Sequence, residues 1–190
     1  FIFCSFNNTY KIQPEMFNVW MDILNSKKDS ILWLLDTEGV AKDNLLKKAK
    51  SKGISKDRII FSKKMLITEH IQRQMCADLF LDTFPICAHT TASDALWVGL
   101  PLVTLSGKSM VSRVAGSILK NIGMEELITN SYSEYKDKVL FLANNKNYLS
   151  KVKNKIIANR HTTKLFDTVG FTENLEEEYE KLFLKFKNSR

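Results

Sequence analysis

The stretch Thr83-Phe-Pro-Ile-Cys-Ala-His-Thr-Thr-Ala-Ser-Asp94 decides the fold. It follows an apolar strand-like run, Asp78 to Leu81, and leads into a helical pattern from His89 to Val98 that stops at Gly99. A strand, a turn rich in small polar residues and a helix in that order form the unit from which parallel sheets are built. The same alternation extends to both sides. Upstream lie strands at Ile2 to Phe6, Ser30 to Leu35 and Arg58 to Phe61. Helical patterns separate them: one after Pro14 with Met16, Val19, Trp20, Ile23 and Leu24 on one face, one from Lys42 to Lys52 before Gly53, and one opening at Thr68 as a hydroxyl N-cap. Downstream come a strand at Pro101 to Leu105, a helix from Ser109 to Asn121 closed by Gly123, and helices over Ser133 to Arg160 and Thr172 to Phe186. The pattern predicts an α/β fold, a Rossmann-like doubly wound parallel sheet with helices on both faces. All 190 residues are expected in one domain, with 131–190 as its mostly helical periphery.

Ligands of such sheets bind beyond the carboxyl ends of the strands, so three loops are candidates: Asn7–Gln13, Ser62–Thr68 and Thr83–Thr91. In the last, a helix start offers unpaired N–H groups and partial positive charge. Thr90 and Thr91 add hydroxyls and His89 a ring donor, which together make a seat for phosphate oxygens. Asp94 lies one turn on and is suited to ribose hydroxyls. Thr90 as a plain helix cap, with Asp94 offsetting the dipole, explains the same spacing, and the sequence leaves both readings open. Lys11, just past the first strand, reaches a phosphate as a point charge or stays solvated. His70 and Arg73 share a helix face, where an imidazole can stack on a base and a guanidinium can bond its edge; a charged, capped helix face is the alternative.

Composition narrows the classes. A net charge of +7, from 28 Lys plus Arg against 21 Asp plus Glu, favours an anionic partner. The lysine-rich segments lie on helices with regular apolar spacing and lack interleaved aromatics, which speaks against nucleic acid. Cys4, Cys76 and Cys87 are too scattered for a disulfide framework or zinc site, so a reducing, cytoplasmic setting is expected. Asp78 and Asp82 alternate along a buried strand and make no metal pair; no apolar run reaches the ~20 residues of a membrane span. Phe1 to Phe6 reads as a strand inside a fold, so Phe1 is expected to be a fragment boundary.

In this order the loops resemble the C-terminal catalytic lobe of the protein O-GlcNAc transferases, glycosyltransferase family 41. The resemblance runs through Phe3-Cys-Ser-Phe-Asn-Asn-Thr-Tyr-Lys-Ile12, Ser30-Ile-Leu-Trp-Leu-Leu35, Arg58-Ile-Ile-Phe-Ser62, Glu69-His70 and Ala77-Asp-Leu-Phe-Leu-Asp-Thr83. It continues through His89-Thr-Thr-Ala-Ser-Asp-Ala-Leu-Trp-Val-Gly-Leu-Pro101, Ser112-Arg-Val-Ala115 and Leu165-Phe-Asp-Thr168. It implies the second lobe of a GT-B enzyme, which moves a sugar such as GlcNAc from a UDP-sugar to protein Ser or Thr with inversion, using no metal and no cofactor beyond the donor. By the resemblance Lys11 and Asn8 lie at the diphosphate, His70 packs on uracil with Arg73 beside it, His89, Thr90 and Thr91 hold the diphosphate, and Asp94 binds ribose. Protein acceptors would be held by regions upstream, a first lobe and helical repeats. Two positions depart from the pattern. Ile67 replaces a lysine, and Asn8, where a glutamine is usual, is similar to the spindly-type branch, which leaves a GDP-fucose donor as an alternative. A non-catalytic nucleotide-binding or interaction domain is the third reading. The last helix carries an apolar stripe, Leu175, Tyr179, Leu182 and Phe186, suited to crossing to a first lobe or to packing on its own.

Overall fold

In the computed structural model, which describes residues 1–36 and 39–189, six parallel strands form one sheet. They are β1 (Ile2–Ser5), β2 (Ile31–Leu35), β3 (Ile59–Ser62), β4 (Leu79–Leu81), β5 (Leu102–Leu105) and β6 (Ile128–Thr129). The spatial order is β3-β2-β1-β4-β5-β6. The chain winds outward from β1 to β3 and then returns past β1 to begin again at β4. The winding therefore reverses between β1 and β4, whose register pairs Phe3 with Leu79 and Cys4 with Phe80. Crevices at the carboxyl ends of such a pair are where open α/β sheets bind ligands.

Among the described residues, eight α-helices accompany the sheet: α1 (Pro14–Ser26), α2 (Ala41–Ser51), α3 (Ile67–Gln74), α4 (Thr90–Trp97), α5 (Val114–Asn121), α6 (Tyr132–Asn144), α7 (Lys146–Asn159) and α8 (Thr168–Asn188). Helix α6 packs on α1 and against β4, β5 and β6, whereas α4 lies against β5 and is flanked by α3, α5 and α7. The strands supply continuous apolar runs, Leu79-Phe80-Leu81 and Leu102-Val103, all fully buried, as a sheet covered on both faces requires.

Four sequence expectations change. Helix α3 begins at Ile67, and its first turn is closed by Glu69, whose Oε2 accepts from Leu66 N at 3.3 Å, so Thr68 is not the cap. The helix expected from Ser109 is a short 3-10 turn, Met110–Ser112, followed by α5, because the Ser112 hydroxyl donates back to Ser109 O at 2.8 Å and closes the turn. The span from Ser133 is two helices broken at Asn145, whose backbone leaves the helical region. Strand β6 has two residues, too few for any periodicity to reveal.

The C-terminal segment divides into two parts. Helices α6 and α7 bury Tyr135, Val139, Leu142, Leu149, Val152 and Ile156 and belong to the core rather than to a periphery. Helix α8 buries no residue, and Tyr179 and Leu182 are 62% and 61% exposed, which overturns the reading that its stripe packs on this lobe. Helix α4 ends at Gly99 with φ +80°, and a Cβ there would sit 2.7 Å from Ile157 Cγ1. Gly99→Ala is therefore expected to lower stability by more than about 1 kcal/mol, read by urea denaturation, since both backbone and space oppose it.

Candidate functional site

The centre of the site is a carboxylate at the end of β4. Asp82 is completely buried and accepts four hydrogen bonds. Its Oδ1 takes Thr83 N and Ala88 N, each at 2.7 Å, and Asn7 Nδ2 at 3.1 Å, while Oδ2 takes the Thr104 hydroxyl at 2.6 Å. Burial without a counter-charge outweighs these donors and pushes its carboxyl up to about 6. The Asp82 backbone carbonyl is held in turn by the Tyr135 hydroxyl at 3.1 Å, from α6.

Asn7 sits across the switch point, at the end of β1. Its amide donates to Asp82 and to Thr83 Oγ1 at 2.8 Å, and its Oδ1 accepts the Thr91 hydroxyl at 2.6 Å. One side chain thus ties the ends of two strands to the first turn of α4. The loop between is drawn in by the same network: Thr83 Oγ1 donates to Ile86 O at 2.7 Å, and Lys11 Nζ donates to Cys87 O at 3.0 Å. A lysine ammonium carries three N–H bonds, so Lys11 keeps two for another anion.

The residues expected to form a seat lie at this point. His89 caps α4 through its backbone, and Ala92 N bonds its carbonyl at 3.0 Å. The N–H groups of Thr90 and Thr91 precede that first intrahelical bond and have no helical partner by geometry. Thr90 is exposed, Thr91 and Asp94 are half-buried, and burial raises the Asp94 carboxyl above its ordinary value. Thr91 differs from expectation in one respect: its hydroxyl proton is given to Asn7 rather than turned outward. Asn8 caps the turn Thr9–Lys11, accepting from Tyr10 N at 3.4 Å.

The third loop meets the others through Phe6. The Phe6 ring lies edge-on to His70, centroids 5.5 Å apart, and the Arg73 guanidinium covers it at 4.4 Å. Arg73 is 7% exposed; its Nε donates to His70 Nδ1 at 3.0 Å and its Nη1 to Lys63 O at 2.8 Å. This corrects the expectation that Arg73 reaches the edge of a base: its donors point into the fold and orient His70. Burial and the Arg73 charge both lower the His70 pKa, so the ring is neutral at pH 7. With Nδ1 accepting from Arg73, the proton lies on Nε2, which faces the Gln74 side-chain amide at 3.4 Å. The Arg73 bond fixes the orientation of the ring, and stacking is what its face offers a ligand. Ile67, at the start of α3, is 60% exposed on the same loop.

The seat is an open shelf rather than a cavity. A cavity of about 680 Å³ lies between α5 and β6, lined by Ser106, Arg113, Gly116, Lys120 and Asn130. None of the expected site residues lines it, and the hydrogen-bonded cluster is the better guide because its donors converge. The residues that the sequence did not single out are Phe6, Asn7, Asp82, Thr104 and Tyr135. Asp82 carried a usable signal, a lone carboxylate ending an apolar central strand. Among the described residues no group of His, Cys, Asp and Glu is arranged to hold a metal ion, and no helix is long and apolar enough to cross a membrane.

Residues 1–175 match the family description glycosyl transferase family 41. The probable UDP-N-acetylglucosamine–peptide N-acetylglucosaminyltransferase SEC of Arabidopsis thaliana is 40% identical over 96% of this chain and 19% of its own length. The Caenorhabditis elegans UDP-N-acetylglucosamine–peptide N-acetylglucosaminyltransferase is 34% identical over 98% of this chain and 16% of its own. Among solved structures, a mutant of the Thermobaculum terrenum O-GlcNAc transferase superposes with a TM-score of 0.89 and 29% identity, over 95% of this chain and 35% of that one. The chain thus spans about a fifth or less of the curated relatives' length.

The Asp82 shift has a signed consequence. Its folded pKa, about 6, lies above the ordinary 3.8, so its contribution to stability is full below the unfolded value and is lost as pH rises through 6. The difference between wild type and Asp82→Asn in urea denaturation is expected to change by about 3 kcal/mol between pH 4 and 7, with wild type losing relative stability as pH rises.

Proposed function

The chain belongs to glycosyltransferase family 41, and from that premise we propose that its β1–β4 switch point is the donor diphosphate seat of a UDP-sugar-dependent protein O-glycosyltransferase. The observation that carries the reading is the convergence of Lys11 and the α4 helix start on one loop, fixed by the Lys11–Cys87 and Asn7–Thr91 hydrogen bonds. The reaction moves a sugar, GlcNAc in this reading, from a UDP-sugar to a Ser or Thr hydroxyl of a protein, with inversion. The C1–O bond to the diphosphate breaks as the acceptor oxygen bonds to C1, the electron pair stays with the β-phosphate, and the acceptor's hydroxyl proton is released to solvent.

Charge therefore grows on the leaving diphosphate. The two remaining N–H bonds of Lys11, the Thr90 hydroxyl and the first-turn N–H groups of α4 meet it as it forms. Fixed donors favour the transition state over the ground state, because the negative charge they face is greatest there. They serve the role that a divalent ion plays in metal-dependent transferases. His70, neutral and held edge-on to Phe6, presents a face for the uracil. Asp94 stands one turn along α4 from the phosphates, where a carboxylate takes ribose hydroxyls without opposing the diphosphate. Arg73 acts through His70.

Support for the nucleotide comes from the family and from the names of the relatives, both of them UDP-N-acetylglucosamine transferases. The reducing, cytoplasmic setting and the protein acceptor belong to this same reading.

Calorimetric titration with UDP, carried to millimolar ligand, is the direct test. Binding is expected, with UDP preferred over GDP and with affinity falling roughly tenfold or more in Lys11→Ala, the weight of one charge-assisted hydrogen bond. A preference for GDP would assign the lobe to a fucosyl donor instead, and an unaltered Lys11→Ala affinity would remove the seat from this loop.

A further inference from the structure

We propose that Asn7 and Asp82 are the positioning pair of the seat, holding Thr91 and the Ala88 turn in place before the donor arrives. The inference deepens the donor-seat reading and rests on it. Its basis is the direction of the hydrogen bonds. Asp82 is a buried acceptor whose Oδ1 collects two backbone N–H groups of the β4–α4 loop, Thr83 and Ala88, and so fixes the path of that loop. The third donor to the same oxygen is Asn7, which leaves the Asn7 carbonyl oxygen facing α4. That oxygen takes the Thr91 hydroxyl at 2.6 Å, which sets the side chain's rotamer.

The order of the chain is thus Asp82, Asn7, Thr91, each member orienting the next. Neither Asn7 nor Asp82 can touch a ligand, since they are 1% and 0% exposed. Their effect on the reaction passes through Thr91 and through the loop that also takes Lys11. The Thr91 hydroxyl gives its one proton to Asn7, so what the bond fixes is the first turn of α4 with its Thr91 N–H. A donor fixed beforehand does not have to be ordered when charge develops beside it, which is the cost that preorganised sites avoid. An error of about 1 Å in such a group costs roughly a hundredfold in rate.

The test is a kinetic double-mutant cycle in the complete polypeptide that carries this lobe, with UDP-GlcNAc and a Ser/Thr peptide, alongside Lys11→Ala. Asn7→Ala and Thr91→Ala are each expected to lower kcat roughly ten- to a hundredfold, with donor KM changing less than about threefold. The double variant is expected to be no slower than the slower single one, because Asn7 acts through Thr91. Losses that multiply in the double variant overturn the inference, as does a change confined to KM or a fall in Tm with kcat intact. Should Asn7→Ala fail to fold, Asn7→Ser gives the same cycle: its hydroxyl stays near Thr83 but is too short to reach both Asp82 and Thr91. Lys11→Ala separates the two levels. If it leaves kcat and donor KM unaltered, the donor-seat reading itself fails; if it slows the enzyme while the Asn7 and Thr91 losses multiply, only the positioning pair is lost.

Discussion

A carboxylate buried without a counter-charge must be given donors or give up its charge, and Asp82 organises this lobe because the fold supplies four of them. They come from four places: the end of β1, the residue after Asp82 itself, the loop before α4, and β5. No local segment could satisfy the group alone, so satisfying it requires the central strands to be paired and the loop to be folded back. Even so, the desolvation is not fully offset, and the raised pKa records the remainder. The lobe accepts that cost where it gains a rigid loop, at the point of the sheet where ligands sit.

The same constraint explains what the sequence could and could not reveal. Strand–helix alternation announced the sheet, because a parallel sheet needs continuous apolar runs and leaves them visible. The three candidate loops followed from that alternation, whereas the reversal between β1 and β4 came only with the strand order. Asp82 was visible as a residue but not as a hub, since alternation along a buried strand says only that a side chain is enclosed. Asn7 was hidden by its neighbour: Asn8 and Asn7 look alike in sequence, and only the pairing of β1 with β4 places Asn7 against Asp82. The helix break at Asn145 was hidden for a different reason, since the flanking segments keep apolar residues at helical spacing and only the backbone leaves the helix.

Arg73 shows how a correct grouping can carry an incorrect role. Helical spacing placed His70 and Arg73 on one face, and they do touch. Spacing could not say which of them faces outward. Phe6 decides it: an aromatic ring at the end of β1 draws the guanidinium over its face, where cation–π attraction and Lys63 O hold it inside. The imidazole is then left at the rim in a single tautomer. An arginine engaged in this way keeps a histidine neutral by its charge and oriented by its Nε, two effects that both favour stacking over ion pairing.

An open seat sets a physical limit on what this lobe does alone. Hydrogen-bond donors aimed at a growing charge are strongest where water is excluded, and in open solvent their effect is screened severalfold. The shelf formed by Lys11, Thr90 and Thr91 has a protein wall on one side. Beyond the same strand ends the loops expose Tyr10, Met65, Leu66, Ile67 and Met110, apolar side chains that gain nothing from water. Helix α8 adds Tyr179, Leu182, Phe183 and Phe186 along 21 residues with none buried. Surfaces of this kind are costly for a body that works unaccompanied and are natural for one wall of a cleft. In the proposed donor seat the polar groups and the apolar rim answer a single requirement, since the donors act most strongly where apolar cover excludes water.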